Sequence, residues 1–184
     1  MRLFIGIPLA AAVTRQLTGL RSCLERPGDG LRWSSPDSWH ITLQFLGGTS
    51  EAQFACVVER LHSVVAEPVS IRLEGLGHFD RAGVLFVGVD TTPRLASLQQ
   101  RVTLATVPCG FKPEDRLYRP HITLARDRGQ SNGIRNLRPQ IEALAGFASK
   151  FSAFNAREFL LYESHIEPSG SRYEVRARFP LVAD

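Results

Sequence analysis

The tetrapeptide His-Ile-Thr-Leu occurs twice, at residues 40–43 within DSWHITLQFLGG and at residues 121–124 within LYRPHITLARDR. The copies start 121 − 40 = 81 residues apart, too far for a short-period solenoid, so one larger unit is duplicated once. In-line cleavage of a phosphodiester needs a base to take a proton from the attacking oxygen and an acid to protonate the leaving oxygen. Histidine suits that division, because its ordinary pKa lets one copy be neutral and the other protonated near neutral pH. Residues i and i+2 of a strand share a face. His40 and Thr42 are therefore expected to project from one side while Ile41, Leu43 and Phe45 pack into a core on the other. His121 and Thr123 would stand in the same way over Ile122 and Leu124. Threonine hydroxyls can hydrogen-bond nonbridging phosphate oxygens. Arg126, five residues beyond His121, has the reach to enter the same cleft and offset charge in the transition state. With the two polar faces turned together, His40, His121, Thr42, Thr123 and Arg126 make a phosphate-sized constellation that needs no metal or other cofactor.

One His-x-Thr in a strand is ordinarily a half-exposed histidine beside a β-favouring threonine. Two identical copies at matching places in a duplicated plan reverse that reading. A metal-dependent hydrolase is the poorer alternative, because the two histidines lack neighbouring acidic or cysteine ligands. His62 falls in a helix. His78 and His165 belong to no repeated motif and read as structural, with His78 a candidate for the groove rim. Trp33, Trp39 and Phe79 are candidates to stack on a base, although core packing is the default for aromatic residues.

The elements that must hold these residues follow from periodicity. Arg2 to Leu9 is apolar throughout and ends beside Pro8, a first strand; the MRLFIGIPLAAAV start only partly mimics a secretory signal. Val13, Leu17, Leu20 and Leu24 set a helical rhythm over Ala11 to Leu24. Strands are expected around Leu31 to Ser34 and from His40 to Leu46. A helix capped by Ser50 follows, with Phe54, Val57, Val58, Leu61 and Val65 on one face. Val69 to Phe79 and Val84 to Asp90 read as strands, and Pro93 opens a helix to about Thr106. The second motif strand, a helix from Gly133 to Phe147, and a closing strand pair turning at Pro168 to Gly170 complete the chain. Each half thus runs strand, helix, histidine strand, helix, strand, strand. The expected fold is α+β: two similar lobes related by a pseudo-twofold duplication, each a small antiparallel sheet covered by helices on its outer face, with the groove between them. All 184 residues are expected to form one bilobal domain.

Composition sets the frame. The 43% hydrophobic content is enough for a full core. A net charge of +4 and a pI near 9.3 suit an anionic partner. Cys23, Cys56 and Cys109 lie at no metal or redox spacing, so neither a disulfide framework nor a zinc site is expected, and a reducing cytoplasm fits. No stretch approaches the length of a membrane span, and a monomer is expected.

The doubled motif, read as HITLQFLG and PHITLAR, together with the opening RLFIGI and the late segment REFLLYES, resembles the two-histidine phosphoesterases. Within them the chain is similar to the RNA 2′,3′-cyclic phosphodiesterases of the LigT or ThpR type, historically called 2′-5′ RNA ligases. The resemblance implies that His40 is the general acid, that His121 is the base activating water, that Thr42 and Thr123 hold phosphate oxygens, and that Arg126 is the basic residue following the second motif. It also implies the substrate: RNA ends or nucleotides bearing a 2′,3′-cyclic phosphate, opened to a 2′-phosphomonoester. Two alternatives stay open beside hydrolysis, reversible 2′-5′ joining of RNA ends and a noncatalytic RNA- or nucleotide-binding module.

Overall fold

The computed structural model describes residues 1–129, 132–144, 151–167 and 170–182. Four helices and ten strands follow in the order β1 (Arg2–Pro8), α1 (Ala11–Leu24), β2 (Leu31–Trp33), β3 (His40–Gly48), α2 (Glu51–His62), β4 (Val69–Ile71), β5 (Leu73–Phe79), β6 (Val84–Val89), α3 (Pro93–Thr106), β7 (His121–Asp127), α4 (Gly133–Ala143), β8 (Phe154–Ala156), β9 (Glu158–Glu167) and β10 (Gly170–Pro180). The α+β class and the two similar lobes hold. Local chemistry explains several boundaries. The Ser50 hydroxyl accepts from the Gln53 backbone N–H, and Gln53 returns the bond to the Ser50 backbone, a complete capping box. Thr92 caps α3 and Pro93 supplies its first residue. The expected end of α4, at Phe147, and the turn at Pro168 and Ser169 lie outside the described residues.

The lobes are not the two halves of the sequence. One sheet has the order β10-β9-β1-β3 and the other β2-β7-β6-β5. By chain order β1 corresponds to β6, β3 to β7, and β5 to β9. Yet β5, from the first half, pairs with β6, while β9, from the second half, pairs with β1. Each sheet therefore holds two strands from each half: β9 and β10 join β1 and β3, and β2 and β5 join β6 and β7. The segment read from sequence as the single strand Val69 to Phe79 and the first member of the closing strand pair are each broken in two for this reason. Their first parts, β4 and β8, pair with each other, Ser70 opposite Asn155, before the chain crosses into the opposite sheet.

A single buried cluster runs through both sheets, including Ile5 and Leu161 from one, Val87 and Ile122 from the other, and Leu17, Leu61, Leu98 and Ile141 from the four helices. Burying each such side chain contributes about 1.5–3 kcal/mol. Helix α3 lies against β3 and α2, and its Gln99 amide donates to the Leu43 carbonyl, tying the second half to the back of the first motif strand.

A disulfide joins Cys56 in α2 to Cys109, 53 residues later. This corrects the expectation that the cysteines form no disulfide framework. Spacing along the chain could not reveal the pair, because only the packing of α2 beside the turn that follows α3 brings the two residues together. Cys23 is free and exposed.

Candidate active site

Both motif strands carry the same irregularity. In the pairing of β1 with β3, Ile5 faces Gln44 and Gly6 faces Thr42, so Leu43 is an extra residue. In the pairing of β6 with β7, Leu85 faces Ala125 and Phe86 faces Thr123, so Leu124 is the extra one. A bulge of this kind reverses the alternation beyond it. Leu43 and Gln44 are buried in succession, as are Leu124 and Ala125. The next residue in each strand, Phe45 or Arg126, returns to the face of the histidine and threonine. Arg126 thus enters the cleft by backbone geometry as well as by length. Phe45, expected in the core, is instead 60% exposed, and the bulge is the physical reason.

His40, Thr42, Phe45, His121, Thr123 and Arg126 line one groove with about 160 Å³ of free space. All five residues expected at the site from sequence are brought together there. Sequence reasoning missed Phe45, Arg32, Ser34, Ser35 and Tyr173, which share the lining. Of the aromatic candidates, Trp33 lines the groove. Trp39 is buried in the core, and Phe79 packs edge-on to the His121 ring, 5.2 Å between centroids. His78 faces Asp80 at 3.4 Å, and His62 packs against Phe179. Neither lines the groove.

The imidazoles are oriented in the same way. His40 Nδ1 lies 2.8 Å from the Ser38 carbonyl and His121 Nδ1 lies 2.8 Å from the Arg119 carbonyl. A carbonyl oxygen only accepts, so Nδ1 carries the hydrogen in both rings and Nε2 is left as the reactive atom. Room for the His40 ring comes from Gly6: a Cβ there would sit 2.9 Å from the Ile41 carbonyl oxygen and 3.3 Å from His40 Cδ2.

Their surroundings differ. The His40 ring is packed among Phe4, Tyr162 and Tyr173, with centroids 4.5, 5.9 and 5.2 Å away, and its Nε2 is 3.1 Å from the Thr42 hydroxyl. Burial, followed by the nearby His121 and Arg126 charges, lowers its pKa to about 4, against the push of the Ser38 hydrogen bond. His121 is also held below the ordinary histidine value, first by burial and then by the Arg126 and Arg119 guanidinium groups, again opposed by its backbone hydrogen bond. Among the described residues Thr123 makes no hydrogen bond to His121, which leaves Nε2 of that ring open to the groove. Both rings are held neutral near pH 7. Tyr118 braces the first motif strand from behind, donating its buried hydroxyl to the Thr42 carbonyl at 3.1 Å.

Among the described residues no group of three or more His, Cys, Asp or Glu is arranged to hold a metal ion, and no helix is long and apolar enough to cross a membrane.

Comparison with known proteins places this geometry. Residues 7–86 and 87–173 each match the family described as LigT like phosphoesterase, one match per histidine motif. An RNA 2′,3′-cyclic phosphodiesterase of Geobacillus stearothermophilus is 30% identical over 97% of the chain, and the chain spans 57% of that protein's length. An RNA 2′,3′-cyclic phosphodiesterase of Archaeoglobus fulgidus is 27% identical over 95% of the chain and 97% of its own. The crystal structure of E. coli LigT complexed with 3′-AMP superposes with a TM-score of 0.79 at 23% identity, over 99% of this chain and 98% of that one, a likeness of fold.

Proposed function

The chain belongs to the LigT-like phosphoesterase family, and from that premise we propose that it hydrolyses 2′,3′-cyclic phosphates at RNA or nucleotide ends to 2′-phosphomonoesters, the whole chain acting as one bilobal enzyme. The observation that carries the reading is the pair of imidazoles in one anion-sized groove, each presenting Nε2 because Nδ1 is committed to a backbone carbonyl. Water attacks phosphorus as His121 Nε2 takes its proton. The bond from phosphorus to the 3′ oxygen breaks, and His40 Nε2 gives that oxygen a proton. One phosphorus–oxygen bond forms and one breaks, leaving a 2′-phosphate and a 3′-hydroxyl. The waiting states of the rings favour this division at one end: His121 is neutral and unobstructed, as a base must be.

His40 must acquire a proton before it can act as the acid, because its surroundings hold it neutral. The bound cyclic phosphate provides for this. Its negative charge counters the burial and the Arg126 field that depress His40, and it competes for the Thr42 hydroxyl that rests on Nε2. Thr42 and Thr123 then bind nonbridging oxygens, and Arg126 offsets the charge that grows on them. The direct test is incubation of a cyclic-ended oligoribonucleotide in excess chelator, with chromatography of the product. A 2′-phosphate is expected. A 3′-phosphate, or binding with no product after long incubation, overturns the reading, the second result favouring a noncatalytic binding module. Adding a 5′-hydroxyl RNA partner to the same reaction separates hydrolysis from 2′-5′ joining.

A further inference from the structure

The groove is longer on one side than the chemistry requires. Strand β2 adds to the second sheet beside β7, whereas among the described residues β3 is the edge of the first sheet. The short strand alternates. Leu31 is buried in the core, while Arg32 is exposed and lies directly opposite Arg126 in the pairing of β2 with β7, so the two arginines share the groove face about 5 Å apart at their Cα atoms. Like charges placed directly opposite in a sheet repel. Among the described residues neither arginine has an ion pair. Of the carboxylates near them, Asp29 accepts from the Trp33 indole at 2.8 Å and from the Leu31 backbone, Glu25 is held by Arg21 at 2.8 Å, and Asp127 accepts from the Ile134 backbone.

Arg126 lies beside the imidazoles. Arg32 instead lies among Trp33, Ser34 and Ser35, and together with Trp33 it also lines a second cavity of about 330 Å³ that continues past Arg128 and Arg26. The scissile phosphate already has two imidazoles, two threonine hydroxyls and Arg126. Taking the cyclic phosphodiesterase reading as given, we propose that Arg32 binds the phosphate ester on the 5′ side of the terminal ribose, so that the groove selects 5′-phosphorylated and oligonucleotide ends over a nucleoside 2′,3′-cyclic phosphate with a free 5′-hydroxyl. Two guanidinium groups one cross-strand step apart then hold two successive phosphates, and the repulsion between them is relieved when both are bound.

The test compares kcat/KM for three substrates: a nucleoside 2′,3′-cyclic phosphate with a 5′-hydroxyl, the same compound with a 5′-phosphate, and a cyclic-ended dinucleotide. In the unaltered protein the second and third are each favoured over the first by about tenfold, the value of one charge-assisted contact. In Arg32→Gln both ratios fall to about one, carried by KM rather than kcat. A ratio that survives the substitution, or no preference in the unaltered protein, overturns the proposal. Preference for the dinucleotide alone also does so, since it credits the second base. Calorimetric binding of a nucleoside 2′-phosphate and of the corresponding 2′,5′-bisphosphate supplies the same comparison without turnover. If no substrate is opened while Arg32→Gln still abolishes the preference for bisphosphate, the hydrolase reading fails and the second phosphate site stands.

Discussion

Strands β3 and β7 have the same tetrapeptide, the same bulge after threonine and the same backbone grip on Nδ1, yet they deliver different tools to the groove. Five residues past the histidine, β3 presents Phe45 and β7 presents Arg126. Around the first ring stand Phe4, Tyr162 and Tyr173; beside the second stand Phe79, Phe86 and Arg119. In the proposed reaction the duplicated backbone fixes where two protons are handled, and the unduplicated residues decide which ring gives a proton and which takes one. Symmetry here supplies position, and departures from symmetry supply the roles.

The largest expected effect comes from the rings themselves. His40→Gln and His121→Gln should each lower kcat about 10³-fold, read by single-turnover product formation. A cyclic substrate with sulfur in place of the 3′ oxygen, whose leaving group needs no proton, should restore His40→Gln and leave His121→Gln impaired. Rescue of the wrong variant would exchange the two roles. Next come the residues after the bulges. Arg126→Gln should reduce kcat about 10²-fold, whereas Phe45→Ala should mainly raise KM, about tenfold, through loss of a stacking surface. Equal losses of kcat in both would break the division between a charge-handling and a positioning residue.

Acid should also distinguish the two sides. An unfolded His40 binds a proton below about pH 6.5 and the folded ring only near 4. Stability is therefore full above about 6.5 and falls as pH drops towards 4, by about 2–3 kcal/mol from this ring. Urea unfolding at several pH values checks it, and His40→Gln should flatten the profile more than His121→Gln. NMR titration with added inorganic phosphate should move the His40 midpoint upward. The smallest contrast lies in the neighbouring strands. Gly6→Ala presses on the Ile41 carbonyl and the His40 ring, while Gly88→Ala meets first the end of the Glu74 side chain, which can swing aside. Gly6→Ala should cost about tenfold in kcat through misplacement of the ring, with little change for Gly88→Ala.

That five candidate residues would meet in one groove was legible because strand periodicity puts His and Thr on one face without any knowledge of tertiary structure, and because the motif occurs twice. Helix α1 was legible to the residue, and α3 through its Pro93 start with an approximate end at Thr106. The bulges were not, since Leu43-Gln44 and Leu124-Ala125 contain no glycine or turn residue to announce them. Only the sheet register exposes the two-residue step, and with it the error over Phe45. The exchange of β5 and β9 between sheets is a matter of partner choice that alternating hydrophobicity leaves undetermined. Cys56 and Cys109 failed to declare themselves for the same reason, since their meeting depends on helix packing. Arg32 had a readable signal in hindsight: a charged residue between Leu31 and Trp33 in a short strand has to face away from the core.

The crossing of β5 and β9 has a consequence for how such a molecule could come about. A peptide of half this length, trading that strand with an identical copy, would bring two motif strands together in a homodimer, but both edges of its cleft would then bear the same side chain after the bulge. Two aromatic platforms would lack the cation, and two cations would lack the platform. Joining the copies end to end frees each to mutate alone, so the inequality of Phe45 and Arg126 is open only to a chain that contains both halves.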